Sequence, residues 1–262
     1  MKRAMKLTMK RTEGKVYLVG AGPGAPDLLT LRAAEVLKRA DVVFHDALVH
    51  PEVLALASQA VKIAVGKRCG RFATAQQFIN KRLVDAARNH KVVVRLKGGD
   101  PTLFGRAQEE IAALDAAGIA FEVVPGVTAA LAAAAEAGVS LTQRGVARSI
   151  TFVTPRVGEG EAPSAWAQSV AAADTAIIYM GAGQAREISV ALIAAGLPRD
   201  LPVLVAENAT LPQVRRIALT LEELPEIAHY GIAGPTLIMV GRVFASVLAA
   251  SEQEALRKYA RA

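Results

Sequence analysis

The sequence predicts an α/β protein of two domains with largely parallel sheets and a ligand cleft between them. Three observations carry that prediction. Strand and helix patterns alternate from Lys15 onward, the order that places helices over parallel strands. About ten strand-like runs occur, more than one sheet of ordinary size accommodates. A Pro-Gly-Val turn signal at 125–127 falls near the middle of the 262 residues and suits a boundary. The expected organisation is a basic tail at 1–13, an N-terminal α/β domain at 14–125, a C-terminal α/β domain at 126–248 and a helical tail at 249–262.

In chain order, "KVYLVG" is a strand and "DLLTLRAAEVLKRA" a helix by its apolar spacing. "DVVFHD" and "VKIAVG" are strands. "TAQQFINKRLVDAAR" is a helix with Thr74 and Gln77 spaced as a capping box. "KVVVRLKG" is a strand, "FGRAQEEIAALDAAG" a helix ending on Gly118, and "AFEVV" a strand. An alanine-rich helix follows the 125–127 turn. "SITFVT", "DTAIIYM", "PVLVAENA", "VRRIALT" and "PTLIMVG" read as strands, with a second capping box at Thr220 and Glu223. "TPRVGEGEAPSAW" reads as a polar surface loop.

Composition narrows the function classes. Hydrophobic residues make up 52% and charged residues 21%, enough for a sizeable core. No apolar run reaches the ~18 residues of a membrane helix, and the start lacks a secretory apolar segment. Cys69 is the single cysteine, so no internal disulfide forms and a cytoplasmic home is expected. Net charge is +7, which favours an anionic partner. The first fifteen residues carry six Lys or Arg against Glu13, and the body without them is near +2. A wide nucleic-acid surface is therefore not expected, and neither is a membrane partner. His45 and His50 lack the spacing and partners of a metal site.

Two glycine loops follow strands. In "VYLVGAGPGAPDLLTL", Gly20, Gly22 and Ala25 match the dinucleotide fingerprint, with Asp41 or Asp46 as a ribose acid. Gly20, Gly22 and Gly24 equally match a methyltransferase glycine loop. Pro23 and Pro26 argue against pyrophosphate, because proline donates no hydrogen bond and the helix cannot start cleanly before Asp27. In "KGGDPTLFGR", Gly98 and Gly99 permit close backbone approach, and Asp100 either accepts from ligand hydroxyls or amines or helps cap a tight turn. Asp46 and Lys67 close two further strands. Four strand ends with unusual residues point to one cleft.

These stretches, with "VGKR", "FEVVPGVTAALAAAAEAGVSLTQRG" and "YMG", resemble the tetrapyrrole methylase family from about Gly14 to Val243. The resemblance implies a two-domain fold, usually a homodimer, holding S-adenosylmethionine (SAM) and releasing S-adenosylhomocysteine, with no metal. The cofactor contacts it implies are Pro23, Gly98, Gly99, Asp100, Leu103, Thr128, Ala129, Met180 and Ala209. It implies methylation of uroporphyrinogen III, a polyanionic tetrapyrrole, at C2 and C7 to give precorrin-2, for siroheme or cobalamin synthesis. Asp46 is then the proton acceptor and Lys67 the donor or charge stabiliser. Capping of "PEVLALA" by Asp46 and a solvated Lys67 are the alternatives. Gly22 borders the substrate, and Arg68, Arg106, Arg144 and Arg148 would pair with its carboxylates, which suit the guanidinium fork; Arg71 is a further candidate. Arg215 and Arg216 are expected on a solvated strand or dimer face. Ala25, Thr102, Gln143 and Ala209 depart from the family's usual pattern and suggest altered substrate fit. Other readings are a later precorrin methyltransferase, an RNA ribose methyltransferase of the same fold, and a non-catalytic SAM-binding regulator.

Overall fold

The computed structural model describes residues 14–65, 76–157, 162 and 164–259, with side chains to Gln253. The chain divides into two compact units, Met1–Thr128 and Ala129–Ala262.

The first unit runs β1 (Lys15–Gly20), α1 (Leu31–Lys38), β2 (Val42–His45), α2 (Pro51–Ala55), β3 (Val61–Ala64), α3 (Gln76–Ala87), β4 (Val92–Lys97), α4 (Ala107–Ala116) and β5 (Phe121–Val124). Its sheet has the order β3-β2-β4-β1-β5, and every pair is parallel. Alternate strand residues feed two separate cores. Tyr17, Val19, Val43, Val94 and Leu96 pack on the α1 side with Ala33, Val36 and Leu37. Val16, Leu18, Val42, Phe44 and Val93 pack on the other side with Ile79, Leu83 and Leu114. Burial on both faces explains why these strands read as unbroken apolar runs.

Helix α1 is shorter than its sequence pattern suggests. Pro26–Leu28 forms a 3-10 turn, and Thr30 then caps the helix, its hydroxyl accepting the Ala33 N–H at 3.1 Å. Helix α4 is followed by Gly118 at φ +65°, a left-handed C-terminal stop. Thr74 of the expected capping box before α3 lies outside the described residues.

The second unit runs α5 (Ala129–Glu136), β6 (Ile150–Val153), α6 (Trp166–Ala171), β7 (Thr175–Tyr179), α7 (Ala185–Ala194), β8 (Pro202–Glu207), β9 (Arg215–Thr220), a 3-10 segment (Leu224–Tyr230), β10 (Thr236–Gly241) and α8 (Ala245–Tyr259). Its sheet order is β6-β7-β10-β8-β9. Here the expectation of largely parallel sheets is corrected: only β6–β7 is parallel, and the other three pairs are antiparallel. The connection from β8 to β9 is too short for a crossover, so the pair must run antiparallel. Strand β10 returns between β7 and β8, which point the same way. Thr220 donates its N–H and its hydroxyl to Glu223, both at 2.9 Å, and so shapes the turn into the 3-10 segment. Among the described residues no helix is long and apolar enough to cross a membrane.

Candidate cofactor and active site

In the first unit the two glycine loops are one structure. Strands β1 and β4 are neighbours with Gly20 beside Lys97. Ala21 N–H donates to the Lys97 carbonyl at 2.7 Å, and Gly22 and Gly99 exchange two backbone bonds at 3.2 and 2.8 Å. The Pro-Gly-Val turn closes on both. A Cβ on Gly20 would lie 2.6 Å from the Gly126 backbone, and one on Gly126 would lie 2.3 Å from the Gly99 carbonyl oxygen. Contacts under 3.0 Å exclude any side chain, so three backbone segments converge where only glycine fits.

Asp100 ties the assembly together. One oxygen accepts the Gly126 N–H at 2.9 Å; the other accepts the Thr102 N–H at 2.8 Å and its hydroxyl at 2.6 Å. Of its two sequence readings, the turn-holding one is visible directly. Gly98 faces Leu48, and a Cβ on Gly99 (φ +66°) would find nothing nearer than Thr128 at 3.9 Å. The space in front of Gly99 is therefore open and walled by backbone, which fits a ligand that needs close main-chain approach. Pro23 follows Gly22 (φ +71°) on the same rim and is half-buried, as is Leu103. Arg106, at φ +55°, pairs in a fork with Glu109 at 2.6 and 2.8 Å. That contact, led by the Arg106 hydrogen bond, holds the Glu109 carboxyl below its ordinary range.

Asp46 follows β2. Its carboxylate meets Arg95 at 2.5 Å and its side chain is 29% exposed. It does not cap α2, because His50 occupies that position and makes no side-chain cap bond. Asp41 stands at the opposite end of β2, where its carboxylate accepts the N–H groups of Lys91 and Val92 at 2.9 and 2.8 Å; it is a strand staple. Behind Asp46 lies a charge cluster that the sequence reasoning missed. Arg95, Lys97 and Glu110 are buried at 3%, 2% and 0% exposure. Glu110 accepts from Arg95 Nε at 2.9 Å, from Lys97 Nζ at 3.0 and 2.9 Å, and from Gln76 at 3.2 Å. Burial works against the Arg95 charge, but Asp46 and Glu110 outweigh it and raise its pKa. Burial, with the Arg95 charge beside it, lowers the pKa of Lys97. The available signal was "VVVRLKGG", two cations alternating within an apolar central strand. Lys67, Arg68 and Arg71 lie outside the described residues.

In the second unit, Met180 follows β7 and Ala209 follows β8, so both sit at one end of the sheet. Met180 is exposed at φ +56°. Ala209 is buried between Asn208 (φ +54°) and Thr210 (φ +68°). The five non-glycine residues described with positive φ are Phe104, Arg106, Met180, Asn208 and Thr210. All follow the ends of β4, β7 or β8, and such backbone strain gathers at functional sites. Glu207, the last residue of β8, accepts the N–H groups of Ala233 and Gly234 at 2.8 and 2.6 Å and pairs with Arg215 at 3.1 Å. Burial raises its carboxyl, yet these N–H groups and Arg215 prevail and hold it below the ordinary value of 4.5. A Cβ on Gly234 would strike the Asn208 amide at 2.1 Å, so that amide lies directly over Gly234. Glu207 and Asn208 also escaped the sequence reading.

Ala129 opens α5 and packs at the edge of a core with Ala130, Ala133 and Leu204. Arg144 and Arg148 precede β6, where Arg148 N–H donates to Asp174 at 2.8 Å. Because β6 and β7 are parallel, this is the sheet end opposite Met180. Both arginines line an open cavity of about 440 Å³ with Thr142, Gln143 and Ala147. Arg215 and Arg216 are not merely solvated: Arg215 also donates to the Tyr230 carbonyl at 2.6 Å, and Arg216 to the Glu136 carbonyl.

Each α/β unit ends strands in glycine-walled or strained turns, and in open α/β sheets such carboxyl ends are where small molecules bind. The chain belongs to the tetrapyrrole (corrin/porphyrin) methylases, whose family model matches residues 15–225. It is 48% identical over 232 residues to the siroheme synthase of Chromobacterium violaceum, covering 88% of this chain and 49% of that protein. With the siroheme synthase of Nitrosococcus oceani it shares 47% over 235 residues, 89% of this chain and 50% of that one. The chain thus spans about half the length of the curated relatives it matches. Among solved structures, uroporphyrin-III C-methyltransferase from Thermus thermophilus, complexed with S-adenosylhomocysteine, is similar at TM-score 0.79 and 41% identity, covering 89% of this chain and 100% of that one. A cobalt precorrin-4 methyltransferase is similar at TM-score 0.78 and 28% identity, covering 90% and 98%.

Proposed function

We propose that this chain is a SAM-dependent C-methyltransferase that converts uroporphyrinogen III to precorrin-2 by methylating C2 and C7. The observation that carries this reading is the open space in front of Gly99, on a turn fixed by the close backbone packing of Gly20, Gly99 and Gly126 and by the Asp100 bond to Gly126. A cradle of main chain suits a cofactor whose bulk must lie against the protein while its methyl stays free. The assigned cofactor contacts are Pro23, Gly98, Gly99, Asp100, Leu103 and Thr128 in the first unit, and Ala129, Met180 and Ala209 in the second.

SAM supplies a methyl group on a sulfonium. The substrate's electron-rich pyrrole carbon forms the new C–C bond as the C–S bond breaks. Holding the reacting atoms in line supplies much of the acceleration. The methylated ring then loses a proton, and Asp46 is assigned as its acceptor, fixed by Arg95. Lys67 is assigned as donor or charge stabiliser. Arg106 shares its turn with Gly98–Asp100 and can exchange Glu109 for a substrate carboxylate. Gly22 and Arg68 complete the substrate assignment; Arg144 and Arg148 stand at the sheet end opposite Met180 and are left out of it. The working form is a cytoplasmic homodimer, in keeping with the family resemblance and the lone Cys69.

A second reading is a later precorrin methyltransferase, favoured by the cobalt precorrin-4 enzyme's equally close fold. The higher identity to the uroporphyrin-III enzyme supports the first. Anaerobic incubation with SAM and uroporphyrinogen III, followed by product mass, decides between them. A gain of two methyl groups is expected. No gain, with methylation of another precorrin, moves the assignment to the second reading.

A further inference from the structure

Strand β4 is the middle strand of a parallel sheet buried on both faces, yet it carries Arg95 and Lys97. They are two residues apart and so share one face. The Arg95 guanidinium does not fork onto a single carboxylate. Its Nε donates to Glu110 at 2.9 Å, one terminal nitrogen donates to Asp46 at 2.5 Å, and the other donates to the Leu96 carbonyl at 3.2 Å. Each of the three nitrogens therefore has an acceptor. Lys97 spends its ammonium on both oxygens of Glu110. The turn that follows wraps its stem, since a Cβ on Gly105 would lie 3.1 Å from Lys97 Cε and 2.4 Å from the Pro101 carbonyl oxygen.

Two buried cations against two carboxylates are a poor source of stability, because desolvation offsets most of their attraction. They are a good way to fix a position. The cluster is graded: Glu110 is fully buried, and of the four charged groups Asp46 alone reaches solvent, with a side chain 29% exposed. That exposed end is also the carboxyl end of β2, where such sheets bind ligands. Among the described residues, Arg106 is paired with Glu109, and a His45 ring nitrogen lies 3.1 Å from the Asp46 carbonyl oxygen.

We propose that Glu110 is a positioning residue for the methyl-transfer reaction, acting through Arg95 on the Asp46 carboxylate. Glu110 holds one side of the guanidinium, and the guanidinium in turn fixes where Asp46 points. This rests on the reading of Asp46 as proton acceptor.

The test measures single-turnover methyl transfer to uroporphyrinogen III, counted per molecule that binds S-adenosylhomocysteine in calorimetry. The variants are E110Q, the charge-balanced K97M/E110Q, D46N and D46N/E110Q. The second variant removes a buried anion and cation together, keeps the Asp46–Arg95 pair, and carries the test if E110Q does not fold. E110Q and K97M/E110Q are expected to lose about 10- to 100-fold in rate with S-adenosylhomocysteine affinity unchanged. In the D46N background, E110Q is expected to cause no further loss, because groups acting as a unit are not additive. A wild-type rate in the folded Glu110 variants, or losses that multiply in D46N/E110Q, overturns the inference. D46N at the wild-type rate instead retires the Asp46 assignment, and the inference with it, whatever Glu110 does.

Discussion

The two units bury charge in different ways. In the first, Arg95 lies inside β4, laddered to both neighbours, and Lys97 ends that strand; both cations are buried, and their charges are met by carboxylates, with the Leu96 carbonyl also accepting from Arg95. Asp46 and Glu110 are those carboxylates, with Gln76 as a neutral donor. In the second, Glu207 ends its strand beside the loop that leads into β10. Two unladdered N–H groups of that loop satisfy it, and a single edge arginine assists. Two neighbouring buried cations are met by a matched set of carboxylates, whereas the single carboxylate Glu207 is met mainly by main chain. Removing one member should therefore cost far more in the first unit than in the second.

The sharpest way to break that contrast is Glu110→Ala. It leaves Arg95 and Lys97 without their shared carboxylate, and loss of one member of a buried ion pair costs about 3–5 kcal/mol. Denaturant unfolding should show this, with K97M/E110Q costing less because the charges leave together. Equal losses for both would mean that packing, not charge balance, governs the cluster.

Gly126→Ala probes the close backbone packing of the first unit. Its methyl would arrive 2.3 Å from the Gly99 oxygen, a clash worth about 1–3 kcal/mol if the turn shifts. The same shift should abolish S-adenosylhomocysteine binding by calorimetry. Tight binding by this variant would remove the cradle from the cofactor assignment.

Glu207→Gln is the matching change in the second unit, with an expected loss of about 1–2 kcal/mol from weaker hydrogen bonds to a neutral acceptor. Its pH dependence has a definite sign. The folded carboxyl titrates below 4.5, so its stabilisation is full above 4.5 and is lost as pH falls through the lower folded value. The stability gap between wild type and variant should be constant above 4.5 and close below it.

The ten strands among the described residues were legible in the sequence because alternation and apolar runs are local signals. Strand direction in the second sheet was not, because β10 chooses its place between β7 and β8 by contacts distant in sequence. The two glycine loops were visible separately, but their mutual backbone bonds exist only once β1 and β4 are neighbours. Glu109 and Glu110 show the limit most clearly. They are adjacent and chemically alike, yet one pairs with Arg106 in solvent and the other is fully buried under Lys97. The helical turn separates them by about 100°, and only the packed partner on β4 says which faces inward.

The smallest effect tests a device that the units share. Each has an aspartate before a strand, Asp41 in "ADVV" and Asp174 in "ADTA", and each carboxylate accepts two N–H groups from the start of the neighbouring strand. Asp174 adds the Ser149 hydroxyl at 2.8 Å, and Ser149 Oγ accepts the Asp174 N–H at 2.9 Å. The Arg148 N–H, followed by Ser149, holds the Asp174 carboxyl below its ordinary 3.8. Asp174→Asn should lower Tm less than Glu207→Gln, because water competes at this exposed site. The sign is the same as for Glu207: the stabilisation is present above 3.8 and disappears as pH falls through the depressed folded value. Calorimetric scans of both proteins should therefore converge in acid. A Tm gap that persists well below 3.8 would mean that the asparagine disturbs the turn itself, and that the staple depends on shape rather than on charge.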